Sequence, residues 1–175
     1  MFRHLIIPLT KSPNPAKGRW GSIEDQDWYH GVRLAAHIAK NDPLSRILVI
    51  SDFHVPGCEQ DADTYNRALL ELGVPASSIE IIRKESETCG QLNLTFKMAS
   101  RKDSVTIISS FLHWPRVLWL TLGKKCTRRI VFGHPRPKEA FTDIILAFIF
   151  PALDLLGLRN FFLRRVLSRR KKGKL

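Results

Sequence analysis

Val105-Thr106-Ile107-Ile108-Ser109-Ser110-Phe111-Leu112-His113-Trp114-Pro115-Arg116 is the stretch that decides the fold. It opens with a short apolar run rich in β-branched residues, which predicts a buried strand over Val105–Ile108. Pro115 suits the first turn of a helix, where an amide hydrogen has no partner inside the helix, so a helix is predicted from Pro115 to Leu122. A strand that passes quickly into a helix is typical of a parallel α/β sheet.

The same rhythm recurs along the chain. Four further apolar runs are predicted strands, namely Leu5–Ile7, Ile47–Ile50, Ile79–Ile82 and Ile130–Phe132. Five strands with helices between them predict an α/β fold, specifically a Rossmann-like three-layer sandwich with a mainly parallel five-stranded sheet. A C-terminal apolar and basic helical tail follows, so the predicted organisation is an α/β domain over residues 1–140 and a separate segment over residues 141–175.

Helical periodicity fills the gaps between the strands. Tyr29–Lys40 and Asp61–Leu72 both place small or apolar residues three and four positions apart. Gly73 is expected to end the second helix in the left-handed conformation, which a residue without a β-carbon adopts readily. Thr88 is predicted to be the N-cap of the next helix, its hydroxyl accepting from free backbone amides.

Polar residues follow several of the predicted strands. His113 and Arg116 come after the fourth strand, and parallel topology brings them to the same carboxyl edge as Thr10, Asp52 and Thr88. The guanidinium of Arg116 and unpaired amides at helix starts would together attract a carboxylate or phosphate. The sequence leaves open whether His113 is a proton donor, a neutral hydrogen-bonding group or a ligand-positioning residue, and a purely surface role is the alternative.

Two phrases carry a family resemblance. Thr88 opens a helix, and Ser110, His113 and Arg116 are spaced as Ser-x-x-His-x-x-Arg. Over residues 45–135 the chain resembles the family typified by SanA, ElyC and YdcF, whose phrases are Asn-Thr-x-Glu-Asn and Thr-Ser-x-x-His-x-x-Arg-Ala. It departs from that pattern where Glu87, Gly90 and Gln91 replace Asn, Glu and Asn. Phe53 also stands where relatives commonly have glycine.

The resemblance implies a ligand and a chemistry. It implies a small-molecule cleft lined by Ser110 and by Asp61, which aligns with an acid of many relatives, although an N-cap role would also explain Asp61. By analogy the ligand is S-adenosylmethionine or another nucleotide-like molecule. One hypothesis is a transferase or hydrolase acting on an anionic or lipid-linked envelope precursor, with His113 catalytic. The alternative is a non-enzymatic, membrane-associated binding or scaffold protein of the cell envelope.

The net charge of +12 is concentrated at the C-terminus. Eight of the 28 basic residues lie between Arg159 and Lys174 without any acid, whereas the remaining 20 face all 16 acidic residues. No aromatic residue is interleaved with the terminal basic run, residues 164–174, which disfavours nucleic acid as a partner. The preceding apolar stretch Ile144–Leu158 is too short and interrupted to predict a membrane span. An interfacial helix on an anionic membrane and a core or dimer-interface helix both remain open.

The other features of the sequence are largely negative. Cys58, Cys89 and Cys126 lack the spacing of a disulfide framework or zinc site, so we expect free thiols and no bound metal. We also expect a cytoplasmic location, with the tail able to hold the protein at the cytoplasmic face of the membrane. The apolar run Leu5–Leu9 is too short for a signal peptide. The irregular segment Lys11–Gly21 would either lie over the carboxyl edge, where ligands bind, or be a surface excursion.

Overall fold

A computed structural model of the chain describes residues 3–9, 22–54, 58–85, 87–134, 137–158 and 161. Five strands alternate with five α-helices, and two short 3-10 helices cover Ile23–Asp25 and Ala76–Ser78. The strands are β1 (His4–Leu9), β2 (Ser45–Ile50), β3 (Ile79–Ile82), β4 (Ser104–Ser110) and β5 (Thr127–Val131). The helices are α1 (Asp27–Asn41), α2 (Asp61–Glu71), α3 (Thr88–Met98), α4 (Trp114–Leu120) and α5 (Pro137–Leu155).

The five strands form one all-parallel sheet in the order β3-β2-β1-β4-β5. The long central ladder pairs β1 with β4 from His4↔Ser104 to Leu9↔Ser109. The chain therefore builds outward from β1 to β3 and then crosses back to β4 through α3. This reversal makes the β1/β4 boundary the topological switch point, and in open α/β sheets the crevice outside the strand ends at such a point is where ligands bind. The predicted Rossmann-like α/β fold is confirmed.

Two hydrophobic clusters pack on opposite faces of the sheet. One joins α1 and α2 to residues such as Ile6, Ile47 and Ile108. The other joins α3 and α4 to alternate residues of the same strands, including Leu5 and Ile107. Because successive side chains of a strand point to opposite faces, continuous apolar runs supply both clusters at once. This double burial explains why the strands read as unbroken apolar runs in the sequence.

Several predicted boundaries differ from the structure. The first helix begins at Asp27, two residues before the predicted start, and β5 ends before Phe132. The helix predicted over Pro115–Leu122 is Trp114–Leu120, with its proline in the first turn as expected. Gly73 has φ +77°, so its predicted left-handed conformation is confirmed. Its amide donates to the carbonyl of Leu70 and ends α2.

The two predicted capping roles are not observed. Thr88 is the first residue of α3 rather than its N-cap, which is Glu87. Its hydroxyl bonds to a histidine instead, so the predicted Thr88 cap is wrong. Likewise, Asp61 is the first residue of α2 and Gln60 is the cap. Both positions lie one residue inside the helix, where a side chain is no longer placed to accept from the second and third amides.

The C-terminal helix α5 passes through residue 140, the predicted end of the α/β domain, and packs against α4. The indole of Trp119 donates to the Asp154 carboxylate across 2.8 Å, and Phe150 is buried. Among the residues the structure describes, no helix has the length and apolar character needed to cross a membrane. The basic segment after Phe161 lies outside the described residues.

Candidate functional site

Contacts from α3 close over the carboxyl end of β1. Gln91, one turn into α3, donates from Nε2 to the carbonyl of Ile50 at the end of β2, at 2.6 Å. Thr88, at the start of the same helix, reaches His113 beyond the end of β4. Since β1 lies between β2 and β4, these two contacts flank the switch point from both sides. The helix start is thereby fixed over the edge where a ligand is expected.

The closest pairing between predicted site residues joins Thr88 and His113. Thr88 Oγ1 lies 2.9 Å from His113 Nε2, and both side chains are half-buried. The backbone amide of His113 donates to the carbonyl of Ser110 at 3.1 Å, which holds the turn between β4 and α4. Depending on the tautomer, the imidazole either accepts a proton from the hydroxyl or donates one to it. A hydroxyl and an imidazole at this distance can exchange a proton.

The first turn of α3 differs from the family phrase in an informative way. A β-carbon at Gly90 would collide with the carboxylate of Glu85, so Glu85 fills the space that a side chain at this position would occupy. The resembled family has a glutamate at this helix position. Here the carboxylate of Glu85, five residues earlier in the chain, packs against the helix at this position. Sequence reasoning missed Glu85, because only close packing against a glycine reveals it.

The remaining predicted residues are distributed around the same edge. Ser110 is fully buried at the end of β4, and its hydroxyl has no hydrogen-bond partner within the described part of the chain. Strand alternation places it on the α1 face with Ile108, opposite to Thr88 and His113. Asp52 is exposed after β2, whereas Asp61 is buried at the start of α2. Thr10 and the segment Lys11–Gly21 lie outside the described residues.

Arg116 points toward the C-terminal helix. Its guanidinium carbon lies 4.0 Å from the centre of the Phe150 ring, a cation–π contact between α4 and α5. The structure thus brings His113 to Thr88 but brings Arg116, one turn further on, to Phe150. Sequence spacing alone did not predict this, since it placed both side chains at one anion cleft.

A second polar cluster at the opposite, amino edge of the sheet was not predicted. His4 bridges Asp42 and Thr106, with 2.8 Å from Nδ1 to the Asp42 carboxylate and 2.8 Å from Nε2 to the Thr106 hydroxyl. Thr106 is buried within β4. The cluster therefore ties β1 to β4 and to the end of α1.

The cysteines and possible metal ligands are dispersed. Cys58, Cys89 and Cys126 are all free thiols. Burial raises the pKa of the Cys126 thiol and outweighs the opposing effect of Arg128, which makes this thiol a weak nucleophile at neutral pH. Within the described ranges, no three histidine, cysteine or carboxylate side chains come together as a metal site would require.

Comparisons of the chain with protein-family models, with curated proteins and with solved structures give no match. The fold itself defines the class, a Rossmann-like α/β protein with an all-parallel five-stranded sheet.

Proposed function

We propose that the edge formed by Thr88, His113 and the first turn of α3 binds an anionic small molecule. The observation that carries this proposal is the 2.9 Å contact between Thr88 and His113 beside the switch point. Among the described residues no side chain caps α3, and the first turn of a helix attracts negative charge. Of the ligand classes implied by the family resemblance, a phosphate-bearing nucleotide-like or lipid-linked molecule suits this setting, whereas S-adenosylmethionine would offer it only a carboxylate.

The proposed activity is a transferase or hydrolase reaction of envelope metabolism in which His113 exchanges a proton with the substrate. Thr88 holds the imidazole in place, and the tautomer that donates to Thr88 leaves Nδ1 as the basic nitrogen. Arg116, one turn away, would hold the anion if its guanidinium turns from Phe150 toward the cleft. The ligand-binding set that the resemblance implies also includes Asp52, Asp61, Thr10 and Ser110, of which Ser110 is buried on the opposite face of the sheet from Thr88 and His113.

A second candidate function is binding without turnover. Two of the three departures from the family phrase have structural roles here, because Gln91 bonds the carbonyl of Ile50 and Gly90 makes room for Glu85. Replacement of family site residues by residues with packing roles favours a binding or scaffold protein. The two candidates share the same cleft and differ in what His113 does.

The first experiment identifies the ligand and then tests the pair that holds it. Mass spectrometry of small molecules released from the purified protein supplies candidates, and calorimetric titration with ATP, S-adenosylmethionine and inorganic phosphate supplies affinities. Thr88→Val and His113→Gln should each weaken binding by about 1 kcal/mol, roughly fivefold. His37→Gln, at an exposed histidine on α1, is the matched control and should leave affinity unchanged.

Two further variants separate the alternatives. Glu85→Gln removes a negative charge beside the first turn of α3 and should strengthen binding of an anion. Arg116→Ala should weaken binding by about 1.5 to 3 kcal/mol if the guanidinium holds the anion, with unfolding measured alongside because Phe150 also loses its contact. In an enzyme His113→Gln should suppress turnover more than binding. Equal affinities for His113→Gln, Thr88→Val and the unsubstituted protein would refute the site.

A further inference from the structure

The solvent-facing side of α5 is apolar. Its exposed side chains recur three and four positions apart along one stripe, namely Phe141, Ile144, Ile145, Phe148, Ala152 and Leu155. Phe148 is 78% exposed and Leu155 79%, whereas the outer face of a surface helix is normally polar. We call this stripe the α5 apolar face. Contiguous exposed apolar surface of this kind marks a contact with another body.

The contacts with α4 show where this face lies. Arg116 and Trp119, one turn apart on α4, contact Phe150 and Asp154, one turn apart on α5. The two helices therefore run in the same direction at their contact, and α4 starts at the carboxyl edge. The part of α5 from Pro137 to Phe150, roughly 20 Å long at 1.5 Å per residue, thus leads back toward that edge.

A second apolar feature lies at the same edge. Phe111 follows β4 and Phe132 follows β5, and their rings stack with centres 5.4 Å apart. They are 55% and 69% exposed, so the pair is presented to solvent rather than packed into the core. The α5 apolar face and this aromatic pair together give the β4–β5 half of the carboxyl edge an apolar surface.

The sequence beyond α5 indicates what covers this surface. Eight lysine and arginine residues lie between Arg159 and Lys174 with no acid among them, directly after the apolar helix. A symmetric contact between two copies through α5 would bring two such runs together, and like charges at close range repel. Anionic lipid instead complements them, because apolar side chains enter the acyl boundary while basic residues face the headgroups.

We propose that the α5 apolar face, with Phe111 and Phe132, docks on the surface of a bilayer that contains anionic lipid. The docking is interfacial, which agrees with the lack of a membrane-spanning helix in the described residues. Phe150, buried at 1% exposure, keeps α5 attached to α4 while the opposite stripe contacts lipid. This inference does not depend on the anion site, although it would place that site's edge close to the membrane.

The test is co-sedimentation of the full chain with vesicles of phosphatidylcholine alone and of phosphatidylcholine with phosphatidylglycerol. Phe148→Glu places a charge in the centre of the α5 apolar face and should lower partition onto anionic vesicles about tenfold or more. Leu70→Glu is the matched control, since Leu70 is a 43% exposed leucine on α2, across the sheet from α4 and α5. It adds the same charge and should change partition less than about twofold.

Three results would overturn the proposal. The first is no binding of the unsubstituted protein to anionic vesicles at low salt. The second is an equal loss of binding in Phe148→Glu and Leu70→Glu, which would show that net charge rather than this face decides. The third is a dimer, measured by analytical ultracentrifugation, that Phe148→Glu dissociates, which would assign the face to a second copy. Circular dichroism of both variants verifies that they are folded.

Discussion

Asp103 shows how one carboxylate can tie the start of the chain to the sheet. It accepts from the amide of Ser100 at 2.9 Å and from the guanidinium of Arg3 at 2.8 Å, and Arg3 also donates its own amide. The Ser100 amide and the Arg3 guanidinium hold the pKa of the Asp103 carboxyl well below its ordinary value. These bonds join β1 to the turn between α3 and β4.

This depressed pKa predicts a pH-dependent contribution to stability. A carboxyl whose folded pKa is lowered stabilises the protein above its unfolded pKa of about 4, and this stabilisation is lost as pH falls toward the folded pKa. Asp103→Asn should therefore lower the thermal unfolding midpoint at pH 7. The difference from the unsubstituted protein should shrink below about pH 4. Glu71→Gln, at an exposed acid, controls for the loss of one charge. A difference that stays constant with pH would contradict the assignment.

Thr88 illustrates how a residue predicted to cap a helix can make a different contact in the structure. A threonine before a helical pattern is a common N-cap, and the sequence therefore predicts that role for Thr88. The helix begins one residue earlier than expected, however, and the hydroxyl is then free to bond His113. A one-residue shift in a helix boundary decides whether this hydroxyl caps the helix or bonds His113. Spacing within the sequence does not resolve shifts of that size.

At the scale of elements, the end of β5 and the start of α1 approach each other closely. A β-carbon at Gly133 would lie 2.6 Å from the amide nitrogen of Asp27 and 2.8 Å from its Cα. The neighbouring His134 amide donates to the Asp25 carbonyl at 2.8 Å. The two backbones therefore touch, and neither can move aside as a side chain would.

Gly133→Ala should lower the free energy of unfolding by about 1 to 3 kcal/mol, because the added methyl group must displace the backbone of α1. Gly90→Ala is the control. Its methyl group would meet only the flexible end of Glu85, and alanine favours the helix by up to about 1 kcal/mol. Urea denaturation of both variants measures the difference. A Gly133→Ala protein as stable as the Gly90→Ala protein would show that the contact is loose.

The strands and helices were accessible from sequence because each strand is a short apolar run between turn signals. The predicted strand Ile79–Ile82 matches β3 at both ends, and Ile47–Ile50 matches the end of β2, which begins two residues earlier at Ser45. The direction of a single side chain is a different matter. Arg116 turns to Phe150 because α5 lies beside α4, and no local pattern in the sequence indicates that packing. Site geometry depends on such long-range contacts, whereas strand identity depends on local ones.

At the scale of the molecule, the core and the C-terminal basic run are separate. Every residue of the two buried clusters lies between Leu5 and Val131. The basic residues are concentrated after Arg159. The buried clusters and most of the excess charge therefore occupy different stretches of the sequence. Phe150 is buried, contacts Arg116 of α4 and joins α5 to this core.

This separation leads to a prediction about a chain that ends at Phe161. Because both core clusters are retained, its free energy of unfolding in urea should lie within about 0.5 kcal/mol of that of the full chain. Its binding to anionic vesicles should be weaker, since seven of the 28 basic residues are removed and the net charge falls from +12 to +5 (12 − 7). What binding remains through the α5 apolar face should depend much less on salt, because screening acts on the electrostatic component alone.

Salt titrations of the full and shortened chains on the same vesicles measure both components. In the full chain, raising the salt from about 0.01 M to 1 M shortens the screening length from roughly 30 Å to 3 Å and should release most of the bound protein. The shortened chain should bind the vesicles less at low salt, and its binding should change little as the salt concentration rises. If both chains lost binding in parallel, the charge responsible would lie on the folded body. A shortened chain that unfolds more easily would instead show that the tail packs on the core.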